Sequence, residues 1–149
     1  MASKEEYTFS ELMGILTDIE ERVSKLYEKM AQKIEDVKLK DLFLSFSKKS
    51  LQQTEKITET RRKTVTEMTL EPITGLKIGE KLAEIDNMFK SEEFTFDKLV
   101  KLENVLSELY KNATKKVSHI SADVSFLLDN LSKEHKKREN AIKELQLKL

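Results

Sequence analysis

Two stretches decide the fold: Ile-Glu-Glu-Arg-Val-Ser-Lys-Leu-Tyr at 19–27 and Leu-Glu-Asn-Val-Leu-Ser-Glu-Leu-Tyr at 102–110. Each carries an acid second, a serine sixth and a tyrosine last. Glu20, Val23 and Tyr27 fall on one face of a helix, as do Glu103, Leu106 and Tyr110, because side chains three and four residues apart are neighbours there. A second pair of stretches, Phe-Ser-Lys-Lys at 46–49 and Leu-Ser-Lys-Glu at 131–134, repeats in the same order. The chain therefore reads as one helical hairpin written twice.

Apolar residues recur around these stretches at steps of three and four. The first seam runs Phe9, Met13, Leu16, Glu20, Val23, Tyr27, Met30, Ile34, and Thr8 with Glu11 fits a capping box at its start. After a turn at Asp36 and Val37, the second runs Leu39, Phe43, Phe46, Ser50, Gln53, Ile57, Thr60. Thr95 caps a later helix whose seam is Leu99, Glu103, Leu106, Tyr110, Ala113, Val117. A second turn near His119 to Asp123 leads to Val124, Leu128, Leu131, His135, Arg138, Ile142, Leu145, Leu149. The spacing predicts long helices over 9–35, 38–66, 96–118 and 122–147. The crossover at 67–95 carries Pro72 and Gly75, then a short amphipathic helix from Leu76 to Lys90. The expected fold is all-α: a single-domain antiparallel four-helix bundle of two duplicated hairpins, with the long crossover between the second and third long helices.

Composition agrees and excludes much. One proline, three glycines and 36% charged residues suit long helices with wide solvated faces. There is no cysteine, which rules out disulfides, thiol catalysis, iron–sulfur clusters and thiolate metal sites. Formal net charge is zero, so no overall field draws nucleic acid or anionic lipid. The basic clusters Arg61, Arg62, Lys63 and Lys136, Lys137, Arg138 have no interleaved aromatics to stack bases. His119 reads as a surface residue of a turn. No apolar run reaches the ~18 residues of a membrane span, and the first residues do not resemble a secretory leader. A cytoplasmic protein is expected, with no nucleic-acid or membrane partner. The crossover's apolar groups, Leu76, Ile78, Leu82, Ile85, Met88, Phe89 and Phe94, are expected to cap the bundle or form a homodimer interface.

Every seam is interrupted by polar residues at one height. Glu20 stands about sixteen residues before the first turn, with Ser50 and Gln53 about as far beyond it; at ~1.5 Å per residue they share a layer. Glu103, His135 and Arg138 repeat the arrangement about the second turn. A carboxylate on a seam is costly to bury unless something pairs with it. Tyr27 and Tyr110, two turns along from their acids, bring hydroxyls toward the layer while packing their rings.

With Glu-x6-Tyr in both halves, duplicated hairpins and a long crossover, the chain resembles the rubrerythrin-like branch of the ferritin-like superfamily over almost its whole length. The resemblance implies a di-metal centre held by one Glu from the first helix of each half and a Glu-x-x-His from the second. Glu20 and Glu103 occupy the first-helix positions. The two Glu-x-x-His positions are Ser50 with Gln53, and His135 with Arg138. No Glu-x-x-His occurs anywhere in the chain. A fixed cation at Arg138 opposes a bound metal. The resemblance thus implies a degenerate centre in which Arg138 pairs with Glu20 and Glu103 in place of the metals, and no cofactor. The alternative is a single Fe, Mn or Zn ion on Glu20, Glu103 and His135. The expected function is that of a non-catalytic structural or interaction protein; the alternative is a metal-binding protein or oxidoreductase with a reduced mononuclear site.

Overall fold

A computed structural model describes residues 6–64, 73, 75–91, 93–118 and 120–148. Among them the helices are α1 (Phe9–Gln32), α2 (Val37–Thr64), α3 (Gly79–Phe89), α4 (Phe96–Val117) and α5 (Ala122–Lys148). The protein is all-helical over these residues, apart from one isolated β-bridge. By its internal contacts the chain divides into two units. One holds α1 and α2; the other holds Tyr7 and the chain from Ile73 through α3, α4 and α5.

In the first unit α1 packs against α2. Thr8 Oγ1 accepts from the Glu11 amide and Glu11 Oε1 accepts from the Thr8 amide, both at 3.1 Å, so the capping box forms as expected. The buried face of α1 follows the predicted seam through Tyr27; then Ala31 takes over while Met30 and Ile34 are half-buried. The helix ends at Gln32, short of the expected 35, because Asp36 begins the next: its carboxylate accepts from the Leu39 amide at 3.0 Å. Phe43, Phe46 and Ile57 of α2 are buried. Tyr27 packs against both Phe43 and Phe46, with ring centroids 5.4 and 5.3 Å away. Each such side chain contributes roughly 1.5–3 kcal/mol through burial. The expected extension of α2 to 66 lies outside the described residues, as do Pro72 and His119.

In the second unit α4 packs against α5, and α3 lies against α4. Thr95 caps α4 by accepting from the Lys98 amide, as predicted. Ser121 accepts from the Val124 amide and starts α5. All six residues of the predicted α4 seam are buried, as are those of α5 from Val124 to Ile142. Gln146 donates to Asp97 at 2.7 Å, tying the end of α5 to the start of α4.

The crossover helix begins at Gly79, not Leu76, for a local reason. Gly75 (φ 73°) and Lys77 (φ 51°) both take left-handed backbone, which a right-handed helix cannot incorporate. The chain turns there instead and drops Leu76 and Ile78 into the core. At Gly75 an added Cβ would sit 3.4–4.0 Å from the Lys116 side chain of α4. Tyr7 and Ile73, both buried, exchange backbone hydrogen bonds of 3.4 and 2.7 Å. Leu76, Ile78 and Ile85 are buried, and Leu82, Met88, Phe89 and Phe94 half-buried. Three of the seven apolar groups of the crossover are therefore core, and four remain partly accessible.

Candidate functional site: the buried polar residues

Every residue assigned to the polar layer is buried. In the first unit these are Glu20 and Tyr27 on α1, with Ser50 and Gln53 on α2; in the second, Glu103 and Tyr110 on α4, with His135 and Arg138 on α5. Burial of so many polar groups in a small protein is unusual, since each loses hydration that only a partner restores.

The geometry of the second unit is explicit. Glu103 and His135 have no exposed side-chain surface, and Glu103 Oε2 meets His135 Nδ1 at 2.5 Å. Tyr110, two turns along α4, lays its ring parallel to the imidazole, with centroids 5.5 Å apart and planes 3° from parallel. A parallel pair at that separation is offset, the arrangement that ring quadrupoles favour. The carboxylate and the tyrosine thus hold the imidazole from two directions. One turn further, Arg138 is the largest fully buried side chain, and its Nε donates to Glu134 Oε2 at 2.9 Å. One carboxylate held by Arg138 is thus Glu134, its neighbour one helical turn back.

A third buried acid escapes the seam pattern altogether. Glu139 is 2% exposed. It accepts from Lys143 at 2.8 Å, Lys136 at 3.1 Å and Asn104 at 3.2 Å. Burial alone pushes its pKa up, but the hydrogen bonds from Lys143, Lys136 and Asn104 outweigh this and hold the carboxyl below its ordinary value of 4.5. A depressed native pKa adds stability above the unfolded value that is lost as pH falls through the native one. Glu139→Gln should thus cost on the order of 1–2 kcal/mol at pH 7. Its deficit against wild type should shrink as pH falls below about 4.5. Urea titrations at pH 7 and pH 3.5 check this; an equal deficit at both would remove the carboxylate's role.

The repeat also has a contact that the matched serines only hint at. Ser24 and Ser47 each donate to the other's backbone carbonyl, at 2.9 and 2.7 Å, with hydroxyl oxygens 3.1 Å apart. Ser107 and Ser132 do the same at 3.0 and 2.8 Å, with oxygens 3.4 Å apart. A side chain this small lets two helix backbones approach, and the exchange satisfies both hydroxyls internally. The four serines occupy matched places in the two repeats, so the duplication extends from residue identity to hydrogen bonding.

Among the described residues, no three His, Asp or Glu side chains gather as a metal ion would require. No described helix is long and apolar enough to cross a membrane. No protein-family model, curated protein or solved structure matches this chain.

Proposed function

We propose that the chain is a ferritin-like four-helix bundle whose di-metal centre has been replaced by internal ion pairs, and that it acts as a structural or interaction protein without catalysis. The observation that carries this reading is Arg138. A guanidinium keeps its charge at any physiological pH, and this one is fully buried where the family resemblance calls for a metal-binding histidine. The donor set around it is also wrong for a metal pair. Glu103 is engaged by His135, and Arg138 by Glu134. The bridging carboxylates that would neutralise two divalent ions are replaced by His135 in the second half and by Ser50 in the first. These residues do not fit a di-iron or di-manganese group.

Elemental analysis after growth in iron- and manganese-supplemented medium tests the reading. We expect well under ~0.1 metal ion per chain, because a fixed cation beside the ligands repels a second one. Two ions per chain would overturn the proposal. One ion per chain would replace it with a mononuclear site on Glu20, Glu103 and His135.

A further inference from the structure

α3 is the least secured helix of the second unit. It has 11 residues, and helices shorter than about 12–15 residues are marginal in isolation, so docking must hold it. Yet it fully buries one side chain, Ile85, where α4 buries ten residues. Leu82, Met88 and Phe89 are half-buried. Its N-cap, Ile78, has no polar side chain to accept from the first amides, whereas Thr95 caps α4. Phe89 packs against Phe94, with ring centroids 6.3 Å apart, but Phe94 follows α3 directly and can move with it.

Two ion pairs fasten α3 to α4. Lys81 reaches Glu108 at 2.9 Å, and Glu84 reaches Lys101 at 4.0 Å. Beyond the end of α3, Lys98 Nζ donates to Ser91 Oγ at 2.6 Å and to the Glu93 carbonyl at 2.9 Å. Lys101, Val105 and Glu108 lie within about 60° of one another on a helical wheel of ~100° per residue. Tied to the first and the last, α3 passes over Val105, which is buried. The chain on either side is held more firmly, because Leu76 and Ile78 before α3 and Leu99 after it are all buried. Exposed ion pairs contribute little each and are screened by salt. Segments with few buried contacts open at the low end of a protein's range of local free energies. We infer that α3 is a strap that lifts from α4 as one unit, between the anchors Ile78 and Leu99, while α4 and α5 stay folded, and that the Lys81–Glu108 pair helps to hold it closed. Lifting bares Ile85 and Val105, an apolar strip that the closed strap hides. The strap is independent of any metal.

Native-state hydrogen exchange of the full chain, read amide by amide by NMR across sub-denaturing urea concentrations, tests this. The α3 amides from Ala83 to Phe89 should share one protection factor, about 100-fold or more below those of Leu106, Leu109 and Tyr110 in α4. Their common urea slope should be above zero but less than half that of the α4 amides, because opening exposes one short helix. Lys81→Gln and Glu108→Gln should each speed α3 exchange about threefold, and the double variant should go no further than either alone. Protection and urea slope equal to those of α4 would overturn the inference, since α3 would then open only with the rest of its unit. Unrelated values at each amide with no urea slope would also overturn it, because they mark fraying residue by residue. Glutamine changes whose effects multiply would remove Lys81–Glu108 as a fastener and sink that part of the inference.

Discussion

His135→Leu should lower the free energy of unfolding by about 3–5 kcal/mol, the usual cost of removing one partner from a buried ionic contact. At the scale of a 149-residue chain, that is a fall in Tm of roughly 10 °C. The cause is the carboxylate left behind. Glu103 has no exposed side-chain surface, and the imidazole nitrogen 2.5 Å from its oxygen is lost. Glu103→Leu should cost less, about 1–3 kcal/mol, because a neutral imidazole left without its partner costs less to bury than a carboxylate left without its own. The double variant should recover at least half of the His135→Leu loss, since neither charged group then remains. Chemical denaturation of the wild type and three variants at pH 7 closes the cycle. If the two single losses add, Glu103 and His135 do not act as a pair, and the central element of the polar layer falls.

The common level of these two residues was legible in the sequence, although the partner expected for Glu103 was Arg138. Glu103 and His135 stand at similar sequence distances from the turn between α4 and α5, so antiparallel helices bring them level. The seam also marked residues that α4 and α5 bury, although Leu102, Val105, Leu109 and Leu127 beside it are buried as well. What it could not supply lies off the seam. Glu134 is one position before His135, and only the reach of Arg138 back along its own helix brings the two together. Glu139 reads as surface in a stretch rich in Lys and Glu, yet Asn104 and two lysines surround it. Ser24, Ser47, Ser107 and Ser132 were visible as repeated letters, but serine inside a helix ordinarily faces water. Their exchange of hydrogen bonds depends on how closely two backbones approach, which periodicity does not encode. The start of α3 failed for a different reason. Leu76 and Ile78 fit a helical pattern, and the left-handed backbone at Gly75 and Lys77 overrides it.

Arg138→Met carries the second large effect, an expected loss of about 3–5 kcal/mol. Methionine fills most of the volume of the arginine stem, so packing is conserved and the measurement reports the guanidinium. Wild-type Arg138 has no exposed side-chain surface, and Glu134, the carboxylate bound to its Nε, is 12% exposed. Glu134 is thus near water but not in it, and its charge would lose the donor that now offsets the cost of partial burial. Arg138→Lys separates charge from shape. An ammonium restores the positive charge but not the planar set of donors, and it is more strongly hydrated than a guanidinium. It should therefore regain only part of the loss. If buried charge alone matters, lysine would match wild type. If Arg138 is a passive filler of space, methionine would match it, and the proposal that an internal cation replaces the metals would fail. Equilibrium unfolding of the three proteins in urea, read at the tyrosines and in the far ultraviolet, distinguishes the cases. The metal content of Arg138→Met adds an independent readout. Removing the fixed cation takes away the charge that opposes an ion, but leaves Ser50 and Gln53 without ligand chemistry for a di-metal centre. The variant should be destabilised and still take up no metal pair, an outcome that would assign the low metal content to the residues at these positions as well as to the arginine.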